Sequence, residues 1–592
     1  MRQTDRTEAG LTPIAERASC RVRSSPRWIL AENLETLELC GSPCLSLLLQ
    51  RRGLTTAEEA TAFLRPPLKR LRDPFLIPQM RAAVERILRA LTDRARIVLY
   101  GDYDVDGVTS LALLNEMLVA YGATPAFFLP SRMEEGYGLT REGVERCLQL
   151  HHPQLLIAVD CGTSSNAEIA ELQARGVDVI VVDHHEPSPR GLGFAGEPKA
   201  ERPACVALVN PKASAPNEFT SLCSVGLVFK LCHALLKTSP LPAFDLRRRL
   251  DLVALGTVAD IVPLQGENRI LVHHGARELA ARRLTGLAKL MDLAAVRPPV
   301  LSEHIGFRLG PRLNAAGRLT TAESALRLLL SSDAAESATL AAELDVQNRE
   351  RQTLERDIVR AAEALLRARE SDAGAAIVLG EPGWHPGVLG IVASRLARKF
   401  HRPTFVIGFD ADGVGKGSGR SIPGFSLVAA LNRCGHLLEK FGGHEMAAGL
   451  TLRQENFPAF AAAFSAICAE LLGPEELEPR LHLDHELTLA EVNWDLLQWH
   501  ELLQPFGNGN PQPLFFARHV EPVVAPQVLK ERHLSLRLRQ DGTVRRAIFF
   551  GGAENPLPAP PWDVAFRISA DEYQGEKRLQ MQVEAIRAAV PA

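Results

Sequence analysis

The chain has 592 residues, of which 46% are hydrophobic and 23% are charged, with a formal net charge of −3. This length is too great for one core and predicts about three or four domains. The small net charge excludes a uniformly basic nucleic-acid binder, so any such binding must come from local patches. No stretch reaches the ~18 uncharged apolar residues of a membrane span, and the N-terminus has no apolar signal segment. We therefore expect a cytoplasmic protein without membrane attachment.

Residues 1–74 contain short helical segments and no motif, and we predict a partly flexible N-terminal extension. Three short apolar runs then end in acidic residues: RIVLYGDYD, LLIAVDCG and VDVIVVDHH. Each run predicts a buried parallel strand followed by a helix. This alternation predicts a doubly wound α/β domain over residues 75–330, with its ligand site at the carboxyl ends of the strands.

The second half of the chain predicts three further parts. Residues 331–372 are rich in Ala, Glu, Leu and Arg and predict a connector made of one long helix or two in tandem. Residues 373–470, with the runs AAIVLG and TFVIGF and the glycine-rich GVGKGSGRSIPG, predict a second α/β unit. Residues 471–592 contain alternating segments such as HLSLRLRQDGTVRRAIFF, whose DG turn predicts a hairpin in a small β-barrel of the OB type.

The first acidic motif is GDYDVDG. We expect Asp102, Asp104 and Asp106 to alternate on an extended chain and to share one face, with Gly107 letting the backbone turn into the next helix. Three carboxylates this close repel one another unless cations lie between them. A solvated Asp turn or a helix cap would also fit the motif taken alone. A calcium loop does not fit, because Leu113 stands where such a loop needs Glu.

Further candidate ligands follow other predicted strands. DHH contributes Asp183, His184 and His185, while VDCG contributes Asp160 and VADIVP contributes Asp260. Each acid taken singly is more often a cap or turn residue. Four acidic sites at strand or loop ends in one domain, however, indicate that they form one site together. Imidazole and carboxylate together suit Mn²⁺, Fe²⁺ or Zn²⁺, and the remaining carboxylates suit Mg²⁺ or Mn²⁺. Two such ions would clamp a phosphate and generate hydroxide near neutral pH, so the pattern predicts a two-metal phosphoesterase.

GDYDVDG, VDCG, DHH and GTVADIVP resemble, in this order, the four motifs of the DHH phosphoesterase superfamily. RLGPRLNAAGR, GWHPGVLGIVASR, GSGRSIPG and GGHEMAAG resemble the RecJ branch, the last three its DHHA1-type domain. LLQPFGNGNPQPLF resembles the segment that opens the OB-type domain of that branch. The resemblance covers about residues 75–590. No motif is missing, and Val105 stands where many relatives have alanine.

The resemblance implies processive hydrolysis of single-stranded DNA from the 5′ end to mononucleotides, in repair and recombination, with two Mn²⁺ or Mg²⁺ ions. It implies these metal ligands, with Asp102 joining or supporting them: Asp104, Asp106, Asp160, His184 and Asp260. Asp160 would bridge the ions, Asp183 would orient His184, and His185 would contact the scissile phosphate. The implied partners are single-stranded DNA, a single-strand-binding protein and a RecQ-type helicase, and the chain is expected to be a monomer.

Nucleic-acid contacts are predicted from arginines and small polar residues near glycines. The candidates are Arg132, Arg312, Asn314, Arg318, Ser418, Arg420 and His444. A lone arginine also fits a solvated surface charge, and His444 also fits a core histidine. Residues 515–550 carry seven Lys/Arg against three Asp/Glu, with four phenylalanines interleaved at 515, 516, 549 and 550. This pattern fits a stacking groove for single strands, and equally a barrel core with charged outer faces.

Two other functions fit parts of the pattern. The first is an oligonucleotide or cyclic-dinucleotide phosphodiesterase of the same superfamily, whose chains usually lack the C-terminal OB-type domain. The second is a non-enzymatic DHH scaffold that grips single strands without cutting them. The scaffold requires missing metal ligands, and none is missing from this sequence.

Overall fold

The computed structural model describes residues 26–32, 34–130, 138–187, 203–368, 374–554, 556–573 and 576–590. The chain forms two compact units, the larger containing Trp28–Arg351 with Leu481–Ala592 and the smaller containing Gln352–Arg480. Among the described helices, none is both long and apolar enough to cross a lipid bilayer.

The N-terminal extension contains β1 (Arg27–Leu30), α1 (Pro43–Gln50) and α2 (Ala57–Leu64). Helix α2 begins with a capping box in which Thr56 and Glu59 each accept a backbone N–H of the other residue, which satisfies donors that a helix start leaves free. Leu45 and Leu49 of α1 share one buried core with Phe515 of the C-terminal barrel. From Trp28 onward, the extension therefore belongs to the larger unit.

The catalytic-domain candidate begins with α3 (Met80–Thr92), β2 (Ile97–Gly101), α4 (Val105–Ala120), β3 (Ala126–Phe128), α5 (Arg141–His151), β4 (Leu155–Val159), α6 (Asn166–Ala174), β5 (Asp178–Val182) and β6 (Ala207–Val209). Its strands form a parallel sheet in the order β3-β2-β4-β5-β6. Every residue of β2 and β4 is buried, as expected for parallel strands covered on both faces. Strand β3 lies on one side of β2, and β4 and the strands after it lie on the other side. The predicted doubly wound fold is therefore confirmed, with its switch point between β2 and β4.

Helices complete this domain and lead out of it: α7 (Ser224–Thr238), α8 (Leu250–Ala259), α9 (Gly266–Ala280), α10 (Thr285–Leu293), α11 (Ser302–His304), α12 (Gly310–Leu319), α13 (Glu323–Leu330) and α14 (Ala334–Ala368). A short π-helical segment joins α11 to α12. Helices α7 and α8 contribute to the same core as α4. Helix α14 is continuous over 35 residues, which decides between the two predicted forms of the connector.

The smaller unit contains β7 (Ile377–Pro382), α15 (Leu389–Phe400), β8 (Thr404–Phe409), β9 (Val414–Arg420), α16 (Leu427–Cys434), β10 (Lys440–Gly443), β11 (Ala447–Arg453) and α17 (Phe457–Leu471). Its sheet has the order β10-β11-β9-β8-β7, and the glycine-rich run is strand β9. A Cβ on Gly415 would lie 2.5 Å from the ring of Phe409, and a Cβ on Gly419 would lie 2.4 Å from the ring of Phe405. These glycines therefore make room for core rings on this face of β9.

The C-terminal segment contains β12 (Arg480–Leu483), β13 (His485–Glu486), α18 (Trp494–Glu501), β14 (Phe515–Pro522), β15 (Gln527–Leu529), β16 (His533–Gln540), β17 (Thr543–Phe549), β18 (Trp562–Tyr573) and β19 (Glu576–Ala588). Strands β14-β18-β19-β17-β16 close into a barrel because β16 pairs back onto β14. Asp541 and Gly542, both at positive φ, join β16 to β17 as the DG turn predicts. The predicted OB-type barrel is confirmed.

Candidate metal centre and nucleic-acid contacts

GDYDVDG forms the turn between β2 and α4. Asp102 follows β2 and is buried, whereas Asp104 is the N-cap of α4, and its Oδ1 accepts hydrogen bonds from the backbone N of Asp106 at 2.9 Å and of Gly107 at 3.1 Å. The expected extended chain is therefore wrong, because Asp104 satisfies the free N–H groups of a helix start. Gly107 lies inside that helix, where a Cβ would come within 2.5 Å of the Asp102 carbonyl oxygen. Its role is close packing rather than turning.

Helix α12, from the RLGPRLNAAGR motif, supports this turn. A Cβ on Gly317 would lie 2.4 Å from the carbonyl oxygen of Tyr103, so only glycine allows the helix to approach so closely. Asn314 Oδ1 accepts a hydrogen bond from the backbone N of Val105 at 3.1 Å. The structure thus uses Asn314, predicted as a nucleic-acid contact, to hold the acidic turn.

Two buried carboxylates are held by the start of α7. The backbone N–H groups of Ser224 and Val225 donate to the two oxygens of Asp106 at 2.7 and 2.8 Å. Ser224 Oγ donates to Asp160 Oδ1 at 2.8 Å. Asp160 itself has a φ of 63°, a strained backbone state of the kind that clusters at functional sites. Sequence reasoning missed Ser224, whose only signal was a serine beside a helix start.

His184 stands at the centre of the cluster. Its Nε2 lies 3.4 Å from Asp260 Oδ2, 3.6 Å from Asp160 Oδ1 and 3.9 Å from Asp106 Oδ2. Both ring nitrogens and Asp260 Oδ2 are buried and have no hydrogen-bond partner among the described residues. Burial lowers the pKa of His184 to about 3, so the ring is neutral. Buried lone pairs of imidazole and carboxylate that converge without partners fit a divalent cation.

The ligand atoms form three groups, each within 4.8 Å: Asp102, Asp104 and Asp160; Asp160, His184 and His185; Asp106, Cys223 and Asp260. Asp160 belongs to two of these groups, which is where a carboxylate shared by two ions would lie. Burial, together with the charges of Asp106 and Asp260, raises the pKa of Cys223 well above its usual range. Its thiol lies 3.5 Å from Thr257 Oγ1, to which it donates, so Cys223 contributes no thiolate.

The clustered carboxylates disfavour one another's charged form. Burial and the charge of Asp104 raise the pKa of Asp106 to about 7. Burial and the charge of Asp106 raise the pKa of Asp260 to about 9 and that of Asp160 well above its usual range. A divalent cation reverses this effect because it favours the charged form of each ligand.

Mn²⁺ is therefore expected to raise the Tm of the full chain, because it binds the folded site and relieves its charge repulsion. At a free concentration of 100 Kd, one ion contributes about 2.7 kcal/mol. Without metal, the raised pKa values mean that the folded state holds protons that the unfolded chain releases, so stability falls as pH rises from 6 to 9. The Mn²⁺-induced shift should increase over the same range, since binding displaces those protons. Thermal scans check both trends, and an equal shift in Asp160→Asn would contradict the assignment.

Asp183 aligns His185 rather than His184. Its Oδ1 lies 2.8 Å from His185 Nδ1 and also accepts the backbone N–H of both histidines, while its Oδ2 accepts the backbone N–H of Thr163 at 3.1 Å. The prediction that Asp183 orients the ring of His184 is therefore wrong. Burial alone would lower the pKa of His185, but the hydrogen bond with Asp183 raises it to about 9. His185 is thus cationic at neutral pH and can neutralise a phosphate oxygen.

The predicted nucleic-acid residues lie in different settings. Arg132 is outside the described residues. Arg312 pairs with buried Asp345 at 2.9 Å, and Arg318 is half-buried at the end of α12. His444 is exposed in the turn between β10 and β11, so its interpretation as a core histidine is wrong.

Ser418 and Arg420 lie on the face of β9 opposite its glycines, because side chains alternate along a strand. Arg420 Nη1 donates to Ser418 Oγ at 3.2 Å. A Cβ on Gly390, the second residue of α15, would come within 3.0 Å of Arg420 Nη2 and 3.1 Å of Ser418 Oγ. A guanidinium, a hydroxyl and a helix N-terminus therefore meet without an intervening side chain, which suits an anion.

The outer face of the barrel carries unpaired positive charge. Arg537 and Arg546 are exposed and lie directly opposite each other on β16 and β17. In the part of the chain that the structure describes, neither forms an ion pair with a carboxylate. Like charges in this position are destabilising. Phe515 and Phe516 are core residues, so a stacking role for them is wrong, whereas Phe550 is 57% exposed.

Comparisons with known proteins cover most of the chain. The DHH family N-terminal domain matches residues 96–257, the DHHA1 domain matches 373–470, and the RecJ OB domain matches 483–585. The single-stranded-DNA-specific exonuclease RecJ of Bacillus subtilis is 35% identical over 559 residues, 93% of this chain and 68% of that protein. RecJ of Thermus thermophilus is 37% identical over 575 residues, 97% of this chain and 79% of that protein.

Solved structures of RecJ proteins also match the chain over most of its length. The crystal structure of Thermus thermophilus RecJ in complex with Mn²⁺ matches with a TM-score of 0.81 at 33% identity, covering 95% of this chain and 80% of that one. The Mg²⁺ complex of the same protein matches with a TM-score of 0.74 at 31% identity, covering 95% and 79%. With its acidic and histidine motifs gathered at one sheet edge, and with relatives that match nearly its whole length, the chain belongs to the RecJ family.

Proposed function

We propose that this chain is a metal-dependent exonuclease that hydrolyses phosphodiester bonds in single-stranded DNA from the 5′ end to mononucleotides, in DNA repair and recombination. The observation that carries the proposal is the convergence of unpartnered lone pairs of His184 and Asp260 with Asp160 at the switch point of the parallel sheet. Two Mn²⁺ or Mg²⁺ ions bound there would polarise the scissile phosphate and lower the pKa of a water. The names of the relatives and the metals in their structures support the same activity.

Different residues would bind the metal ions and neutralise the scissile phosphate. Six side chains would hold the ions: Asp102, Asp104, Asp106, Asp160, His184 and Asp260. His185, kept cationic by Asp183, neutralises an oxygen of the scissile phosphate. Asp183 accepts three further backbone N–H bonds and so fixes the direction of that imidazole.

Two surfaces hold the strand. Arg537, Arg546 and Phe550 on the barrel bind phosphates and a base at a distance from the cut, because cations and exposed rings together grip single strands without sequence preference. Ser418 and Arg420 bind the 5′-phosphate. Family membership supports action as a cytoplasmic monomer beside a single-strand-binding protein and a RecQ-type helicase.

The proposal is tested with a 40-nucleotide strand labelled at either end and incubated with Mn²⁺ or Mg²⁺. The 5′ label should appear as mononucleotide from the first time point, while the 3′ label stays on progressively shorter strands. Faster turnover of dinucleotides or cyclic dinucleotides than of the long strand would favour the alternative phosphodiesterase. Tight binding without products would favour the scaffold.

Replacing both Arg537 and Arg546 by alanine should weaken binding of the 40-nucleotide strand much more than it slows cleavage of a dinucleotide. Each lost phosphate contact should reduce the slope of log affinity against log salt by about 0.7. The Tm should stay equal or rise slightly, because the opposed charges are removed. Fluorescence anisotropy at several salt concentrations measures the slope. Arg433→Ala, which removes an arginine paired with Glu470, is the matched control, and an unchanged slope in the double variant would contradict the gripping role.

A further inference from the structure

The turn after Asp260 has an unusual residue. Asp260 ends helix α8, and Ile261 follows with a φ of 61°. Glycine is usual at this position because the left-handed region crowds a Cβ, and a β-branched residue there is an outlier. The Ile261 side chain is 70% exposed, so little burial compensates for the steric cost. Contacts from elsewhere must therefore hold this turn.

Those contacts come from the GNG sequence at 507–509, about 250 residues further along the chain and in the same compact unit. Asn508 Nδ2 donates to the carbonyl oxygen of Ile261 at 2.8 Å. The backbone N of Leu264 donates to the carbonyl oxygen of Asn508 at 2.7 Å. Gln265 Nε2 donates to the carbonyl oxygen of Gly509, also at 2.7 Å. Three hydrogen bonds thus hold the residues that follow Asp260.

The glycines on either side of Asn508 allow this approach. A Cβ on Gly507 would lie 2.7 Å from Leu264 Cδ1. Gly509 has a φ of 72°, and a Cβ there would lie 3.1 Å from Pro263 Cβ. Buried Asn510 braces the loop by donating to two backbone carbonyls at 2.8 and 2.9 Å. The loop therefore fits closely against the turn and is held by Asn510.

We propose that Asn508 is a positioning residue for the metal centre, which acts by fixing the backbone next to Asp260. Asp260 Oδ2 lies 3.4 Å from His184 Nε2, which belongs to a different element. Relaxation of Ile261 out of the left-handed region would turn the end of α8 and move this carboxylate away from the other ligands. The inference deepens the proposed function and rests on it for the identity of the cation.

The main test measures Mn²⁺ binding to the full chain by isothermal titration calorimetry, which does not depend on nuclease activity. Asn508→Ala should weaken Mn²⁺ binding about tenfold, as is usual for residues that orient metal ligands. Asn508→Asp should weaken it further, because a carboxylate oxygen then faces the Ile261 carbonyl oxygen. Hydrolysis by Asn508→Ala should be impaired at limiting Mn²⁺ and recover at high Mn²⁺. The Tm of the metal-free variant should stay above the assay temperature, which separates weaker Mn²⁺ binding from a general loss of stability.

The matched control is Asn493→Ala. Asn493 lies at the start of α18, where its side chain accepts the backbone N–H of Leu496 at 2.9 Å. It should lower the Tm without changing Mn²⁺ affinity. Ile261→Gly combined with Asn508→Ala should regain part of the lost affinity, because glycine adopts the left-handed region without steric cost. Gln265→Ala, a milder change, should give a smaller loss and serves if Asn508→Ala does not fold.

Unchanged Mn²⁺ affinity in both Asn508→Ala and Gln265→Ala, or in Gln265→Ala alone if the first does not fold, would overturn the inference. A loss of affinity in Asn493→Ala equal to that in Asn508→Ala would overturn it as well. If the wild-type chain binds Mn²⁺ with the expected ranking of variants but does not cut DNA, the proposed function fails while the positioning role of Asn508 is supported.

Discussion

Replacing Asp160 by alanine is expected to abolish hydrolysis of single-stranded DNA while leaving the fold intact. Asp160 is buried and belongs to two of the three ligand groups, so its loss affects both ions. Losing several kcal/mol of transition-state charge stabilisation lowers kcat by at least roughly a thousandfold. Burial and four neighbouring carboxylates raise the pKa of Asp160. Its removal should therefore change the Tm of the metal-free protein little, because it takes away a carboxyl group whose charged form the site disfavours.

Single-turnover rates in saturating Mn²⁺ and thermal scans with and without Mn²⁺ measure these effects. Asp178→Asn is the control, since Asp178 begins strand β5 of the same sheet and is paired with Arg86. It should retain both activity and the Mn²⁺-induced rise in Tm. Wild-type turnover by Asp160→Ala would contradict the two-ion assignment, whereas a lower Tm without metal would mean that Asp160 is needed mainly for folding.

Replacing Arg420 by alanine is expected to lower kcat/KM on 5′-phosphorylated strands by roughly ten- to a hundredfold, the effect of losing a charge-assisted contact of ~1.5–3 kcal/mol. A terminal phosphate carries more negative charge than an internal diester. Arg420 and Ser418 meet beside Gly390 at the start of α15, where donors from a guanidinium, a hydroxyl and a helix end converge. Strands with a 5′-hydroxyl lack the extra charge, so they should barely respond.

Initial rates on a matched pair of oligonucleotides, with and without the 5′-phosphate, give the ratio of kcat/KM. Lys416→Ala is the control, because Lys416 is an exposed cation on the same face of β9 that lies away from Gly390. It should leave the ratio unchanged. If Arg420→Ala loses activity equally on both strands, Arg420 contacts the strand or the fold in general and does not recognise the end.

The sequence by itself determined the parallel sheet, the hairpin at Asp541–Gly542 and the acidic and histidine motifs that follow the strands. Apolar runs of about five residues that end in acid are typical of strands buried on both faces, and their carboxyl ends meet at one edge. The DG turn is equally local, because it depends on two residues that tolerate positive φ. These features depend on neighbours along the chain, so composition and spacing were sufficient to predict them.

Only the tertiary structure decided which group each side chain contacts. Asp183 orients His185 rather than His184, and Asn314 holds the acidic turn. Ser224 contacts Asp160 from the start of a helix, and Asn508 contacts the turn after Asp260 from a loop far along the chain. A hydrogen-bonding side chain looks the same in the sequence whichever partner it meets. The partner is chosen by the packing of distant elements, which local periodicity does not encode.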